Sequence, residues 1–261
     1  MSVYVMGDIH GSVEPIRAFL KRLPHKPTED DVLILLGDVG FHYFLDKRDD
    51  RVKAEANSLG IKLFCIRGNH EQRPEIVSYI KEGEYEMRPI FGSIAFVEKK
   101  YQNIYYALDF PHIYTILDKK TLVLPGAYSV DKFLRLQSGK KWFPQEQMDE
   151  GDTRLAEEIS NIKGDEIELV MSHTCPISYE PADLFWSGID QSMVDKTMER
   201  CFDSLERKLN YKLWTFGHFH DYRVYPRNGD KQMLMLSAGK EAIDLEATLS
   251  ELAAGGYPVK I

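Results

Sequence analysis

The stretch Lys62-Leu63-Phe64-Cys65-Ile66-Arg67-Gly68-Asn69-His70-Glu71-Gln72-Arg73-Pro74 changes character halfway along. Leu63 to Ile66 is an apolar run long enough for a buried strand and too short for a helix. Arg67 to Glu71 is polar or flexible throughout. A chain that ends a core strand on Asn and His side by side is putting polar groups where the strand stops. The same change occurs elsewhere. Val3 to Met6 runs into Gly7-Asp8-Ile9-His10-Gly11, and Val32 to Leu36 runs into Gly37-Asp38-Val39-Gly40. Ile167 to Met171 leads to Ser172-His173-Thr174-Cys175-Pro176, and Tyr211 to Phe216 leads to Gly217-His218-Phe219-His220.

Between these runs lie helical patterns. Ile16, Phe19, Leu20 and Leu23 recur at helical spacing, and residues 49–58 read as a mostly polar surface helix. Alternation of this kind predicts parallel strands with crossover helices, an α/β fold. The middle, about residues 90–128, is richer in strand signals, with two strands joined at Asp118-Lys119-Lys120. A helix is expected with Leu155, Ile159 and Ile162 on one face. Met193, Thr197, Met198, Phe202, Leu205 and Leu209 fit a longer one. Residues 222–238 read as a hairpin turning at Asn228-Gly229. No internal repeat or low-complexity linker divides the chain, so residues 1–261 are read as a single domain.

Bulk composition narrows the class. Of 261 residues 43% are apolar, enough for a sizeable core, and 28% are charged. No apolar run approaches the roughly 20 residues that span a bilayer, and the N-terminus enters a strand pattern directly, without the features of a secretory signal. The three cysteines, Cys65, Cys175 and Cys201, are widely spaced and odd in number, which argues against a disulfide framework and fits a reducing cytoplasm. A net charge of -8 disfavours indiscriminate nucleic-acid binding.

Collected at the strand exits are Asp8, His10, Asp38, Asn69, His70, His173, His218 and His220. An open α/β sheet places its ligand crevice at the carboxyl ends of its strands. Mixed carboxylate and imidazole donors suit first-row transition metals rather than calcium or a thiolate-bound structural zinc. There are too many for one ion, whereas two ions sharing a bridging carboxylate would use them all. Such a pair clamps a phosphoryl group and activates a water. Taken singly, each residue has an ordinary explanation: Asp8 or Asp38 as a turn or helix cap, His173 as a core histidine, and His218 and His220 as surface residues. Five motifs, each after an apparent strand, outweigh those explanations. Cys175 is read as a buried thiol, His25 and His112 as loop residues, and Glu71 and Arg67 as braces of the loop.

The motifs Gly7-Asp8-Ile9-His10-Gly11, Gly37-Asp38-Val39-Gly40, Gly68-Asn69-His70-Glu71, the single His173 and Gly217-His218-Phe219-His220, in this order, resemble the calcineurin-like metallophosphoesterase superfamily. The resemblance runs from Gly7 to His220. It implies a two-sheet β-sandwich flanked by helices (αββα), with the site on loops at one end. It also implies that Asp8, His10 and His220 hold one metal, that Asn69, His173 and His218 hold a second, and that Asp38 bridges them. A water or hydroxide between the ions would be the nucleophile. His70 would face the substrate as a general acid or as a stabiliser of the phosphoryl oxygens. Manganese is the first expectation for the ions, with iron or zinc as alternatives.

The resemblance implies phosphoester hydrolysis without naming the ester. The Asp-Arg-Gly extension of the protein serine/threonine phosphatase branch is missing, because Asp38 is followed by Val39-Gly40-Phe41-His42-Tyr43-Phe44. Residues 124–147 are the most individual part of the chain and are read as a substrate-facing insertion loop. Its Lys132 and Arg135, with Trp142, suit a phosphate-bearing base or a nucleic-acid end. Its placement loosely resembles the substrate loop of RNA lariat debranching enzymes. His42 is a further substrate-binding candidate. The leading expectation is a cytoplasmic phosphoesterase acting on a nucleotide, a nucleic-acid phosphodiester or a small phosphomonoester. A protein serine/threonine phosphatase, and a noncatalytic interaction scaffold on the same fold, are the alternatives.

Overall fold

A computed structural model describes residues 1–78, 80–81 and 83–261. Alternation along the strands sets its layers, because successive side chains of a strand point to opposite faces. In β1 (Val3–Met6), Val3 and Val5 enter one core while Tyr4 and Met6 enter another. In β2 (Val32–Leu36), Val32, Ile34 and Leu36 divide in the same way from Leu33 and Leu35. Both faces are apolar, as expected of parallel strands covered on both sides.

Two sheets result. The first has the order β13-β1-β2-β3-β6-β5-β4, with β3 Lys62–Ile66, β4 Tyr85–Ile90, β5 Ser93–Glu98, β6 Ile104–Tyr106 and β13 Ala242–Asp244. Strands β1, β2, β3 and β6 are parallel, and β13, β5 and β4 are added antiparallel at the two sides. The second has the order β11-β12-β10-β9-β8-β7, with β7 His112–Ile116, β8 Lys119–Leu124, β9 Leu169–Ser172, β10 Leu213–Phe216, β11 Arg223–Val224 and β12 Gln232–Met235. Here β8, β9, β10 and β12 are parallel between antiparallel edges.

One core lies between the sheets, joining Val5, Ile34 and Phe64 of the first to Val123, Met171 and Leu234 of the second. The outer face of the first sheet is covered by α1 (Glu14–Arg22) and α2 (Lys47–Asn57), through Ile16, Phe19 and Ala56. The outer face of the second is covered by α4 (Glu150–Lys163) and α5 (Thr197–Lys208), where Ala156, Met198, Phe202 and Leu205 meet Trp214 and Phe216. Helix α6 (Leu245–Ala253) follows β13 and sends Leu245 into the inter-sheet core. The fold is a two-sheet sandwich flanked by helices.

Several local expectations need correction. Helix α5 begins at Thr197, and Met193 ends a separate short 3-10 turn with its side chain 72% exposed. On α4 the buried positions are Ala156 and Ser160; Ile162, expected on the core face, is 77% exposed. The β7–β8 turn is made by Leu117 and Asp118, both at positive φ, so Lys119 already belongs to β8. His112 is a strand residue paired to the Ser93 hydroxyl at 2.7 Å, not a loop residue. The expected loop 124–147 contains a short helix, α3 (Lys132–Gln137). Among the described residues no helix is long and apolar enough to cross a membrane.

The five polar exits belong to β1, β2, β3, β9 and β10. Their sheets are locked together at this end, since the His173 ring after β9 bonds the Leu36 carbonyl of β2 at 2.7 Å. The His218 N–H after β10 donates to Asp8 Oδ1 at 3.0 Å.

Candidate metal centre and substrate crevice

The strand exits turn sharply. His10, Asp38, His218 and His220 all have φ between 45° and 69°. That left-handed region costs an L-residue about 1–2 kcal/mol, so four costly conformations gathered at one end of the sheets point to a functional constraint. Glycines make the approach possible. A Cβ on Gly68 would lie 2.2 Å from Asp38 Oδ1, and one on Gly217 would lie 2.3 Å from Asp8 Oδ1.

Two groups of donors form around the two buried aspartates. Asp8 Oδ2 faces His220 Nε2 at 3.3 Å and His10 Nε2 at 3.8 Å, and these two imidazole nitrogens are 2.9 Å apart. Asp8 Oδ2 makes no hydrogen bond among the described residues although it is buried. On the other side, His173 Nε2 lies 2.9 Å from Asn69 Oδ1, and the His173 and His218 rings are 4.9 Å apart. Asp38 faces both groups. Its Oδ1 is 3.4 Å from His173 Nε2 and accepts the His70 N–H at 2.8 Å, while its Oδ2 is 3.8 Å from His10 Nδ1.

The electrostatics follow from this packing. Burial works to raise the Asp38 carboxyl, but His173, His70 and His10 outweigh it and hold the group well below the usual carboxylate range. Burial likewise opposes charge on His173, yet Asp38 and Asp8 push it up to about 9. His218, buried beside His173, is pushed down to about 3. The site thus holds ionised carboxylates among imidazoles, with an orphaned carboxylate oxygen at its centre. That donor set fits a transition-metal cation. The His173 ring is oriented for such a role by Nδ1, which donates to the Leu36 carbonyl, while Nε2 carries a proton toward Asp38 that a metal ion would have to displace.

The supporting residues are mostly remote in sequence. The Asn69 amide nitrogen donates to Ser129 Oγ at 2.8 Å, and Ser129 Oγ donates to Glu146 Oε2 at 2.5 Å. This chain fixes the orientation of the Asn69 amide, so that its oxygen faces His173. Glu71 accepts from the N–H groups of Gly68 (3.0 Å), Gly40 (2.9 Å) and Val39 (3.3 Å), cross-bracing the loops after β2 and β3. Burial pushes its carboxyl up to about 7. Arg67 bonds Asp109 at 2.5 Å and the Glu146 carbonyl at 2.8 Å. Nothing in the sequence marks Glu146 or Asp109, because a lone acidic residue in a loop carries no pattern.

The three substrate candidates separate. Arg135 reaches the centre: its Nη2 lies 3.1 Å from His70 Nδ1 and its Nε donates to Asp131 at 2.7 Å. Lys132 turns aside, with its Nζ 4.1 Å from the centroid of the Trp142 ring. His42 is 1% exposed, and its Nε2 meets Glu98 at 3.0 Å; Lys53 donates to the same carboxylate at 2.8 Å. It belongs to a buried polar cluster rather than to the crevice, because the Glu98 carboxylate on β5 needs donors once covered. The crevice itself, about 300 Å³, is lined by Asp38, Asn69, His70, His218 and His220 and by a second wall containing Leu184, Phe185, Trp186 and Ile189. That second wall, within residues 176–196, carries no motif in the sequence.

Residues 1–222 match the family model described as calcineurin-like phosphoesterase. The chain belongs to that family and is a metal-dependent phosphoesterase. Among solved structures it is similar to the protein TT1561 of Thermus thermophilus, with 13% identity and a TM-score of 0.51 over 95% of this chain and 96% of that one. It is also similar to a dimetal phosphatase from Danio rerio, LOC 393393, with 12% identity and a TM-score of 0.50 over 94% and 92% of the two chains. At such identities the likeness concerns the fold. No curated protein matches the chain.

Proposed function

We propose that the protein hydrolyses a small phosphoester, of nucleotide size or below, at a pair of divalent transition-metal ions, manganese first among the candidates. Asp8, His10 and His220 would hold one ion, Asn69, His173 and His218 the other, with Asp38 shared. The position of Asp38 between the two donor groups carries this reading, supported by the orphaned Asp8 Oδ2. Bound there, two such ions would supply Lewis-acid charge to the phosphoryl oxygens and lower the pKa of a water.

The chain's own residues orient the rest. A guanidinium has donors only, so the Arg135 contact makes His70 Nδ1 an acceptor and leaves the ring proton on Nε2. In that tautomer His70, which lines the crevice, is a neutral donor suited to a phosphoryl oxygen. Arg135 is therefore a positioning residue for His70 rather than a clamp on a remote part of the substrate. The walls on both sides and the volume of about 300 Å³ favour a small ester over the loop of a phosphoprotein.

The test is metal removal and return. After EDTA treatment and elemental analysis, hydrolysis of bis- and mono-p-nitrophenyl phosphate should be lost, and Mn(II) should restore it better than Zn(II) or Co(II). Full turnover in excess EDTA with no metal detected would overturn the two-metal reading. Stoichiometric metal without hydrolysis of any ester would favour a noncatalytic scaffold.

A further inference from the structure

The crevice wall formed by Leu184, Phe185, Trp186 and Ile189 is apolar and aromatic. Phe185 stacks at 28° on Phe219, the residue between His218 and His220, with ring centroids 6.4 Å apart. Trp186 stands beside it, 64% exposed at the rim. Lys196 is the cation here, and it is neutralised: its Nζ donates to Glu180 at 2.6 Å and lies 4.8 Å from the Phe185 ring centroid. A second phosphate therefore has no free cation to meet at Lys196.

What this end does offer is acceptors. Glu199, on α5, lines the same cavity and is 4% exposed. Its Oε1 accepts from the Thr174 hydroxyl at 3.0 Å, while its Oε2 has no hydrogen-bond partner among the described residues. Gln191 Oε1, also in the cavity wall, is buried and likewise unpaired among them. A buried acceptor left unpaired costs about 1–3 kcal/mol, and both residues line a space walled by aromatic rings.

Resting on the phosphoesterase reading of the neighbouring site, we infer that this cavity binds the alcohol portion of the substrate, and that this portion is a planar aromatic group carrying an N–H donor. Phe185 and Trp186 would cover the ring, and Glu199 with Gln191 would accept from the N–H. Specificity for the ester would then reside in residues 176–199 rather than in the basic segment around Lys132.

Three esters of one phosphate type test this: those of ethanol, 2-phenylethanol and 2-(4-aminophenyl)ethanol. Their alkyl leaving groups are alike, so differences in kcat/KM report binding. The phenyl ester should exceed the ethyl ester by about 10- to 100-fold, as for burial of one aromatic side chain. The amino group should add about tenfold. Trp186→Ala should collapse the phenyl-over-ethyl ratio, and Glu199→Leu, which removes the acceptor, should abolish the gain from the amino group. Calorimetric titration of 2-(4-aminophenyl)ethanol into EDTA-treated protein should show saturable binding, weakened in both variants. Equal kcat/KM for all three esters, or an unchanged preference in both variants, would overturn the inference while leaving the phosphoesterase intact. Failure to hydrolyse any of the three with metal restored would instead count against the catalytic reading, and the titration would still judge the cavity.

Discussion

Two segments close the crevice, and they are built from opposite materials. Residues 126–148 present hydroxyl, carboxylate and guanidinium groups that interlock with the centre: Ser129 and Glu146 behind Asn69, Arg135 and Asp131 behind His70. Residues 176–196 present mainly rings and aliphatic side chains, with Glu180, Gln191 and Lys196 among them, and among the described residues none of them hydrogen-bonds a side chain of the two donor groups; their link to the centre is the stacking of Phe185 on Phe219. On the proposed reading the first segment would act on the machinery and the second on whatever enters. Disturbing the first should alter metal binding and turnover for every substrate, whereas disturbing the second should alter the choice among substrates.

The largest effect lies at Asp38, which faces both donor groups. Asp38→Asn should lower kcat/KM by about 10³-fold or more, beyond the loss from one preorganised donor. It should reduce bound metal more than Asn69→Ala or His220→Ala, each of which removes a donor from one group. Metal counting alongside kinetics would check this, and retention of both ions at near-normal rates would displace Asp38 from the bridging role.

Next comes the Arg135–His70 pair. Arg135→Ala should lower kcat about 10²-fold for aryl and alkyl esters alike, because it frees His70 rather than removing a substrate contact. His70→Ala should produce a similar loss, and the double variant should lose little more than either single one. A rise in KM confined to larger substrates would instead return Arg135 to direct substrate binding.

Glu146→Gln tests the polar segment at one remove. It places an amide where the Ser129 N–H and hydroxyl now both find carboxylate oxygens at 3.1 and 2.5 Å. With Asn69 less firmly oriented, metal affinity should fall about 10-fold, the low end for loss of an outer partner of a metal ligand. The preference among phenyl and ethyl esters should not move. The smallest effect is expected at Lys132, whose cation over Trp142 is worth about 0.5–1 kcal/mol at an exposed site. Lys132→Ala should lower Tm by a few degrees at most, with kinetics within about threefold of wild type.

Legibility followed the range of the interactions. Apolar runs such as Val32–Leu36, with both faces buried, announce parallel strands, and a glycine followed by Asp, Asn or His marks where β1, β2, β3 and β10 end. Strand β4 carries no such mark. Its residues Tyr85–Ile90 alternate between exposed and half-buried and include Pro89, so only pairing with β5 makes them a strand. Ile162 and Met193 misled for the reverse reason: they have the chemistry of core residues, but their elements end or turn before bringing them inside.

The sequence by itself determined what the strand ends carry, and hence the α/β class and the metal-binding chemistry, because a strand, its glycine turn and the residue after it form one local unit of a few positions. Only the tertiary structure decided how those units are supported and what they face. Arg135 meets His70 across 65 positions, Ser129 meets Asn69 across 60, and Glu98 draws in His42 across 56. Such partners are selected by how loops from two sheets pack over one another, and buried polar groups take whichever donor or acceptor that packing brings within reach. No local pattern records that choice, which is why Lys132 and Arg135 look equivalent in the sequence and have different roles in the fold.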